Sequence, residues 1–177
     1  MAEKTFAQAL NDHIPSEFAA HQAYLAAAIH YDDLTMPRMA AFFYRQALEE
    51  RNHALMIVKY LQDIGEQATI PGVPAPRSEF ADLVEPVRMA LDQERMVTQE
   101  FNDLAAVARA ANDFQGEQFL QWFLKEQVEE VALMGDLLAV VERAKDQPLE
   151  IEEFLAREGL GEEEADATAP PVAGGSV

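Results

Sequence analysis

The sequence predicts an all-α protein: a four-helix bundle with one long crossover between its second and third helices and a short fifth helix near the C-terminus. Three observations predict it. Four long stretches repeat apolar residues at helical spacing. No stretch alternates with the period of a strand. The connections within the first and second helix pairs are short, whereas the one between the pairs is long and Pro-rich.

The first helix, α1, is expected from about Lys4 to Asp32, with Leu10, Ile14, Tyr24, Ala28 and Tyr31 on one face. The turn "DLTMPR" closes it, and Pro37 suits the first turn of α2, expected from Pro37 to Ile64 with Gly65 as its stop. Helix α3 is expected from Asp82 to Ala111, with Val87, Leu91, Phe101, Ala105 and Ala108 on one stripe. Asn112 or Asp113 caps α4, expected from Phe114 to Ala144, and Pro148 opens α5, which runs to Glu158. The segment between α2 and α3 can extend over the full length of a helix at about 3.3 Å per residue. α2 and α3 can therefore be parallel, joined by one crossover. Residues 1–158 read as one domain. Residues 159–177 are poor in bulky apolar side chains and rich in Pro and Gly, and are expected to form a disordered tail.

Charge narrows the function. The formal net charge is -19, which argues against nucleic acid and anionic membrane as partners and favours cations. The chain has no cysteine, which excludes disulfides, thiolate metal sites and thiol catalysis. The first residues have no signal-peptide pattern, and no segment has the uninterrupted apolar length of a membrane span, so a soluble cytoplasmic protein is expected.

The chemistry lies in polar residues on apolar stripes. Glu50 follows Phe43 by seven positions and precedes Ile57 by seven, and His53 projects beside it. Glu17 follows Leu10 by seven positions and precedes Tyr24 by seven. Glu94 stands in the same relation to Val87 and Phe101. In α4, Gln127 and Glu130 form a second pair three apart. Each long helix thus aims an acid inward, and Arg45, Arg51, Arg95 and Arg109 fall off these stripes. An ionised carboxylate left in an apolar interior costs several kcal/mol. A pair of metal ions would balance four of them. Oxygen ligands with one imidazole suit iron or manganese and admit zinc. Glu50 is placed to bridge two ions. Glu126 and Glu129 fan from Gln127 and Glu130 toward the surface of α4.

At these residues the chain resembles the bacterial non-haem ferritins, within the ferritin-like di-iron superfamily. The resemblance is carried by "EFAAHQAY", "QALEERNHALM", "LDQER" and "LQWFLKEQVEE", and it spans α1 to α5. It implies a ferritin-like di-iron domain that stores iron and acts as a ferroxidase. Glu17, Glu50 and His53 would hold the first iron, and Glu50, Glu94 and Glu130 the second. Gln127 would stand near the second iron, and Tyr24 would hydrogen-bond beside the pair. Glu49, Glu126, Glu129 and Glu130 match a third iron site toward the cavity. The resemblance also implies oxidation of Fe(II) by O2 or H2O2 and a homo-oligomeric shell of twenty-four subunits, with α5 at its fourfold axes.

No haem is expected. Haem-binding bacterioferritins carry a Met directly after the first Glu of E-x-x-H, where this chain has Arg51, and a second E-x-x-H in place of Gln127 and Glu130. Met36 and Met56 are expected in packing. His13 and His30 are expected to be surface or interface residues, His21 to hydrogen-bond rather than ligate, and Trp122 to pack. Two other readings remain at the level of residues alone. One is a di-iron or di-manganese oxidase acting on a small substrate. The other is a helical interaction module whose inward acids pair with Arg.

Overall fold

The structure, a computed structural model, describes residues 4–159 and 166–175. It contains α1 (Phe6–Asp33), α2 (Pro37–Asp63), α3 (Glu85–Ala110), α4 (Phe114–Arg143) and α5 (Pro148–Glu158), with no strand among the described residues. The chain is all-α, as its sequence patterning predicts.

Local chemistry sets the helix boundaries. Thr5 caps α1 in a reciprocal capping box with Gln8. α3 begins three residues later than its apolar pattern suggests, with Val84 at its N-cap position and Asp82 turning the chain just ahead of it. The Asp82 Oδ1 accepts from the backbone N–H of Val84 and of Glu85, both at 2.9 Å. The Asp113 carboxylate accepts from Gly116 N at 2.9 Å and caps α4. Gly116 cannot be enlarged in place: a Cβ there would stand 2.4 Å from the Phe6 ring. α2 has no cap of its own. The Glu152 carboxylate of α5 accepts from Arg38 N at 2.9 Å and Met39 N at 3.0 Å, meeting the open donors and positive end of the α2 N-terminus.

The crossover follows α1 along the bundle. Near the start of α1, Asn11 donates to Gln67 O at 2.8 Å and accepts from Thr69 N at 3.0 Å. Near its end, Tyr31 donates to Leu83 O at 2.5 Å. Those two anchors lie about 30 Å apart along the helix axis at 1.5 Å per residue. The chain therefore returns to the end where α2 began, and α2 and α3 run parallel.

The apolar core is divided. One cluster holds Tyr24, Tyr31, Met36, Phe43, Leu91 and Leu137. The other holds Leu10, Ile14, Met56, Ile57, Phe101 and Phe123. Between them, at one level of all four long helices, lie Glu17, Glu50, His53, Glu94, Gln127 and Glu130, each at most 2% exposed. No described helix is long and apolar enough to cross a membrane.

Part of the segment expected to be disordered lies against the bundle. Ala169, Val172 and Ala173 pack on the second cluster, Ala173 N donates to Leu55 O at 3.2 Å, and Trp122 Nε1 donates to Asp166 at 2.9 Å. The expectation for residues 160–165, 176 and 177 lies outside the described residues.

Candidate metal centre

The polar layer is assembled by spacing. In each helix the inward residue sits between apolar residues of the same face, so packing the two clusters forces it into the middle of the bundle. One ligand atom from each of Glu17, Glu50 and His53 lies within 4.8 Å of the others. His53 Nδ1 is 3.7 Å from a Glu17 oxygen and 3.8 Å from a Glu50 oxygen, too far for hydrogen bonds. Glu17 Oε2, Glu50 Oε1 and both ring nitrogens of His53 are buried without a hydrogen-bond partner. Buried polar atoms are almost always satisfied. Three of these atoms, Glu17 Oε2, Glu50 Oε1 and His53 Nδ1, face one another, and this set of two carboxylate oxygens and one imidazole fits a cation of the iron or manganese class.

Glu94 is held differently. Tyr24 donates to its Oε1, and Gln127 Nε2 donates to its Oε2 at 3.2 Å. The Thr98 hydroxyl lies 2.9 Å from Gln127 Oε1 and 2.7 Å from the Glu94 carbonyl oxygen, one turn back on its own helix. These contacts orient the Gln127 amide so that its N–H faces the carboxylate. Tyr24 and Gln127 are thus both brought to the Glu94 carboxylate.

The electrostatics reflect a crowd of acids. Burial pushes Glu50 well above the ordinary carboxylate range, and repulsion from Glu94 adds to it. Burial also raises Glu94, against the opposing hydrogen bonds from Tyr24 and Gln127. Burial acts the same way on Glu17, but His13 and His53 outweigh it and hold that carboxyl below its usual range. For His53, burial favours the neutral ring, yet Glu17 and Glu50 outweigh it and raise its pKa well above the usual value. The Tyr24 phenol is raised by burial and by Glu94 and Glu50, and so remains a donor. Among the described residues no Lys or Arg is buried with these acids, which removes the Arg-paired arrangement there.

A second group adjoins the first. Glu49, Glu126 and Glu130 bring ligand atoms within 4.8 Å of one another, and Gln46 donates to Glu49 at 2.7 Å. Glu129 does not join them. It is exposed and pairs with Lys125 at 3.2 Å, because its place on α4 turns it toward solvent. Glu130, the most buried member of this second group, is 2% exposed.

Two residues escaped the sequence reading. His13 is 5% exposed, not a surface residue: its Nε2 donates to Glu17 Oε1 at 2.5 Å, and its Nδ1 is 3.0 Å from Glu100. Burial disfavours its charged form, but Glu100 and Glu17 push its pKa up to about 9. The signal was its position four residues before Glu17 on the same face. Thr98 was the other, four residues after Glu94. His21 hydrogen-bonds as expected, its Nδ1 lying 2.6 Å from Ala47 O. Met36 and Met56 are packed in the two apolar clusters. Trp122 is half-buried and packs against Phe123 and, at 5.5 Å between ring centroids, His53.

Known proteins are similar to this chain. A family model described as "Ferritin-like domain" matches residues 7–144. The chain is 48% identical over 168 residues to a protein named Ferritin BfrB of Mycolicibacterium smegmatis, covering 95% of this chain and 92% of that one. It is 47% identical, with the same coverage, to a protein named Bacterioferritin BfrB of Mycobacterium tuberculosis. It is 40% identical over 133 residues to the Bacterial non-heme ferritin of Staphylococcus aureus, covering 75% of this chain and 80% of that one. Among solved structures it is similar to an open pore ferritin from the archaeon Archaeoglobus fulgidus. The TM-score is 0.83 and the identity 26%, covering 93% of this chain and 98% of that one. The family match over most of the chain, the extended likeness to these relatives and the shared fold agree: this chain belongs to the ferritin-like domain family.

Proposed function

We propose that this chain is an iron-storage ferritin of the non-haem type. It oxidises Fe(II) to Fe(III) at a di-iron centre inside each subunit and deposits ferric mineral in the cavity of a twenty-four-subunit shell. The observation that carries this reading is the convergence of Glu17, Glu50 and His53, with one buried ligand atom from each that no protein group satisfies.

In this reading Fe(II) is the substrate. Glu17 and His53 hold one ion, Glu94 and Glu130 the other, and Glu50 lies between them, at the metal separation of ~3.5–4 Å usual for paired sites. Carboxylates attract Fe(III) more strongly than Fe(II), since the attraction grows with the ion's charge, and so they favour oxidation. Two Fe(II), one O2 and two protons give two Fe(III) and one H2O2. With H2O2 as oxidant, two Fe(II) give two Fe(III) and two hydroxides. Tyr24 and Gln127 keep Glu94 in place through the charge change. Glu49, Glu126 and Glu130 form the next stop for an ion leaving the centre, with Glu129 further out on the surface of α4.

The chain binds no haem in this reading. Arg51 follows Glu50, where an axial Met would be needed, and a guanidinium offers donors but no lone pair. Incubation with haemin should give no stoichiometric Soret band. The test of the whole function is a sizing run with an iron assay. The reading predicts elution far above a dimer, with ferric iron in that peak after Fe(II) and air are supplied. A dimer, or a large particle that takes up no iron, contradicts it.

A further inference from the structure

His13 and Glu17 face the same way from α1, four residues apart. His13 Nε2 donates to Glu17 Oε1 at 2.5 Å, while Glu100 of α3 stands 3.0 Å from Nδ1. The ring also packs edge-on against Phe101, with centroids 4.5 Å apart. The imidazole is thereby held by a hydrogen bond at Nε2, an ion-pair contact at Nδ1 and ring packing. The result at Glu17 is asymmetric. Oε1 is occupied by the His13 donor, and Oε2, buried and without a hydrogen-bond partner, is the oxygen that faces His53. Glu94 differs, because both its oxygens already accept hydrogen bonds.

We propose that His13 is a positioning residue of the metal centre, which fixes Glu17 as a one-oxygen ligand, and that Glu100 holds His13 in place. This rests on the metal-centre reading above. A carboxylate whose one oxygen is bound to a rigid donor loses the freedom to rotate and presents its other oxygen to the ion. Groups that orient ligands in this way carry a large share of a site's affinity, and their loss typically costs about 10–100-fold. His13 has a second consequence. On its outer side opens a cleft of about 410 Å³ lined by Asp12, Ser16, Glu100 and Asp103. The imidazole is the wall between that cleft and Glu17.

The test is a titration of the metal-free protein with Co(II), followed by visible absorption and by melting temperature. His13→Leu keeps the wall and removes the donor. The tighter Co(II) site should weaken by about 10–100-fold. His13→Gln restores an N–H donor and should recover most of that loss. Wild-type affinity in His13→Leu overturns the positioning role, as does a folded His13→Gln no better than His13→Leu. If His13→Leu does not fold, Glu100→Gln carries the test: weakened Co(II) affinity supports the proposal and unchanged affinity overturns it. A wild-type protein that takes up no Co(II) overturns the metal-centre reading and this role with it.

Discussion

His53 of α2 and Glu17 of α1 face each other across 3.7 Å of buried space, with no hydrogen bond between them. The gap is too wide for a direct bond and suits a shared ion. It also lies beside a natural reporter. Trp122 is the only tryptophan, and its ring stands 5.5 Å from that of His53. Co(II) bound at the centre should therefore quench Trp122 emission in proportion to occupancy. His53→Ala should abolish the high-affinity phase of quenching. Equal quenching in the variant would place the ion elsewhere.

Glu94 tests the strain of the apo-centre. Its pKa is raised, mainly by burial, so its charged form is disfavoured in the fold. For an acid shifted upward, stability is full below the ordinary carboxylate pKa and declines as pH rises through the folded value. Glu94→Gln keeps the shape and the acceptor for Tyr24 and removes the charge. At neutral pH the metal-free variant should melt at or above the wild-type temperature, by up to a few degrees, while Fe(II) oxidation is impaired. A loss of about 3–5 kcal/mol, as for a broken buried ion pair, would show that Glu94 has a cationic protein partner.

Protons compete with metal. Glu50, raised by burial and by Glu94, and His53, raised by Glu17 and Glu50 against burial, both retain protons in the metal-free protein above their ordinary values. An incoming ion must displace them. Co(II) affinity should thus rise from about pH 6 to about pH 8, and calorimetry in buffers of different ionisation enthalpy should register proton release. Constant affinity with no release would contradict these shifts.

The sequence made the centre legible because Glu17, Glu50 and Glu94 break apolar stripes that are otherwise regular. The crossover was legible because Pro-rich, extended chain between two helices leaves few topologies. Caps supplied from a distance were not. Glu152 meets the α2 N-terminus from 114 positions away, which no local pattern encodes. His13 was passed over because a histidine near a helix start reads as surface, although its spacing to Glu17 put it on the buried face. Glu129 was grouped with Glu126 and Glu130 by the resemblance and as the end of a fan across α4, but it lies about 100° of helix from Glu130, enough to turn its side chain to solvent. The tail was judged by its lack of bulky residues, whereas Ala169, Val172 and Ala173 find a groove that needs none.

That tail gives a further test. Trp122 Nε1 donates to Asp166, and hydrogen bonds from Thr168 and from Trp122 hold the Asp166 carboxyl at a pKa of about 2, below its usual value. Ending the chain after Gly159 should expose Trp122, shift its emission to the red and leave the helical content of the bundle unchanged. Unshifted emission would mean that residues 166–175 do not cover Trp122 in solution.

The central claim is a centre for two iron ions bridged by Glu50, and stopped-flow oxidation of Fe(II) in air tests it most directly. Ferric absorbance should rise in a fast phase whose amplitude saturates at two Fe(II) per chain. In Glu50→Ala, with the shell still assembled by sizing, that phase should slow by about 10-fold or more, since losing a ligand costs at least what losing its orienting partner does. A fast phase unchanged in rate and amplitude in Glu50→Ala would contradict the account.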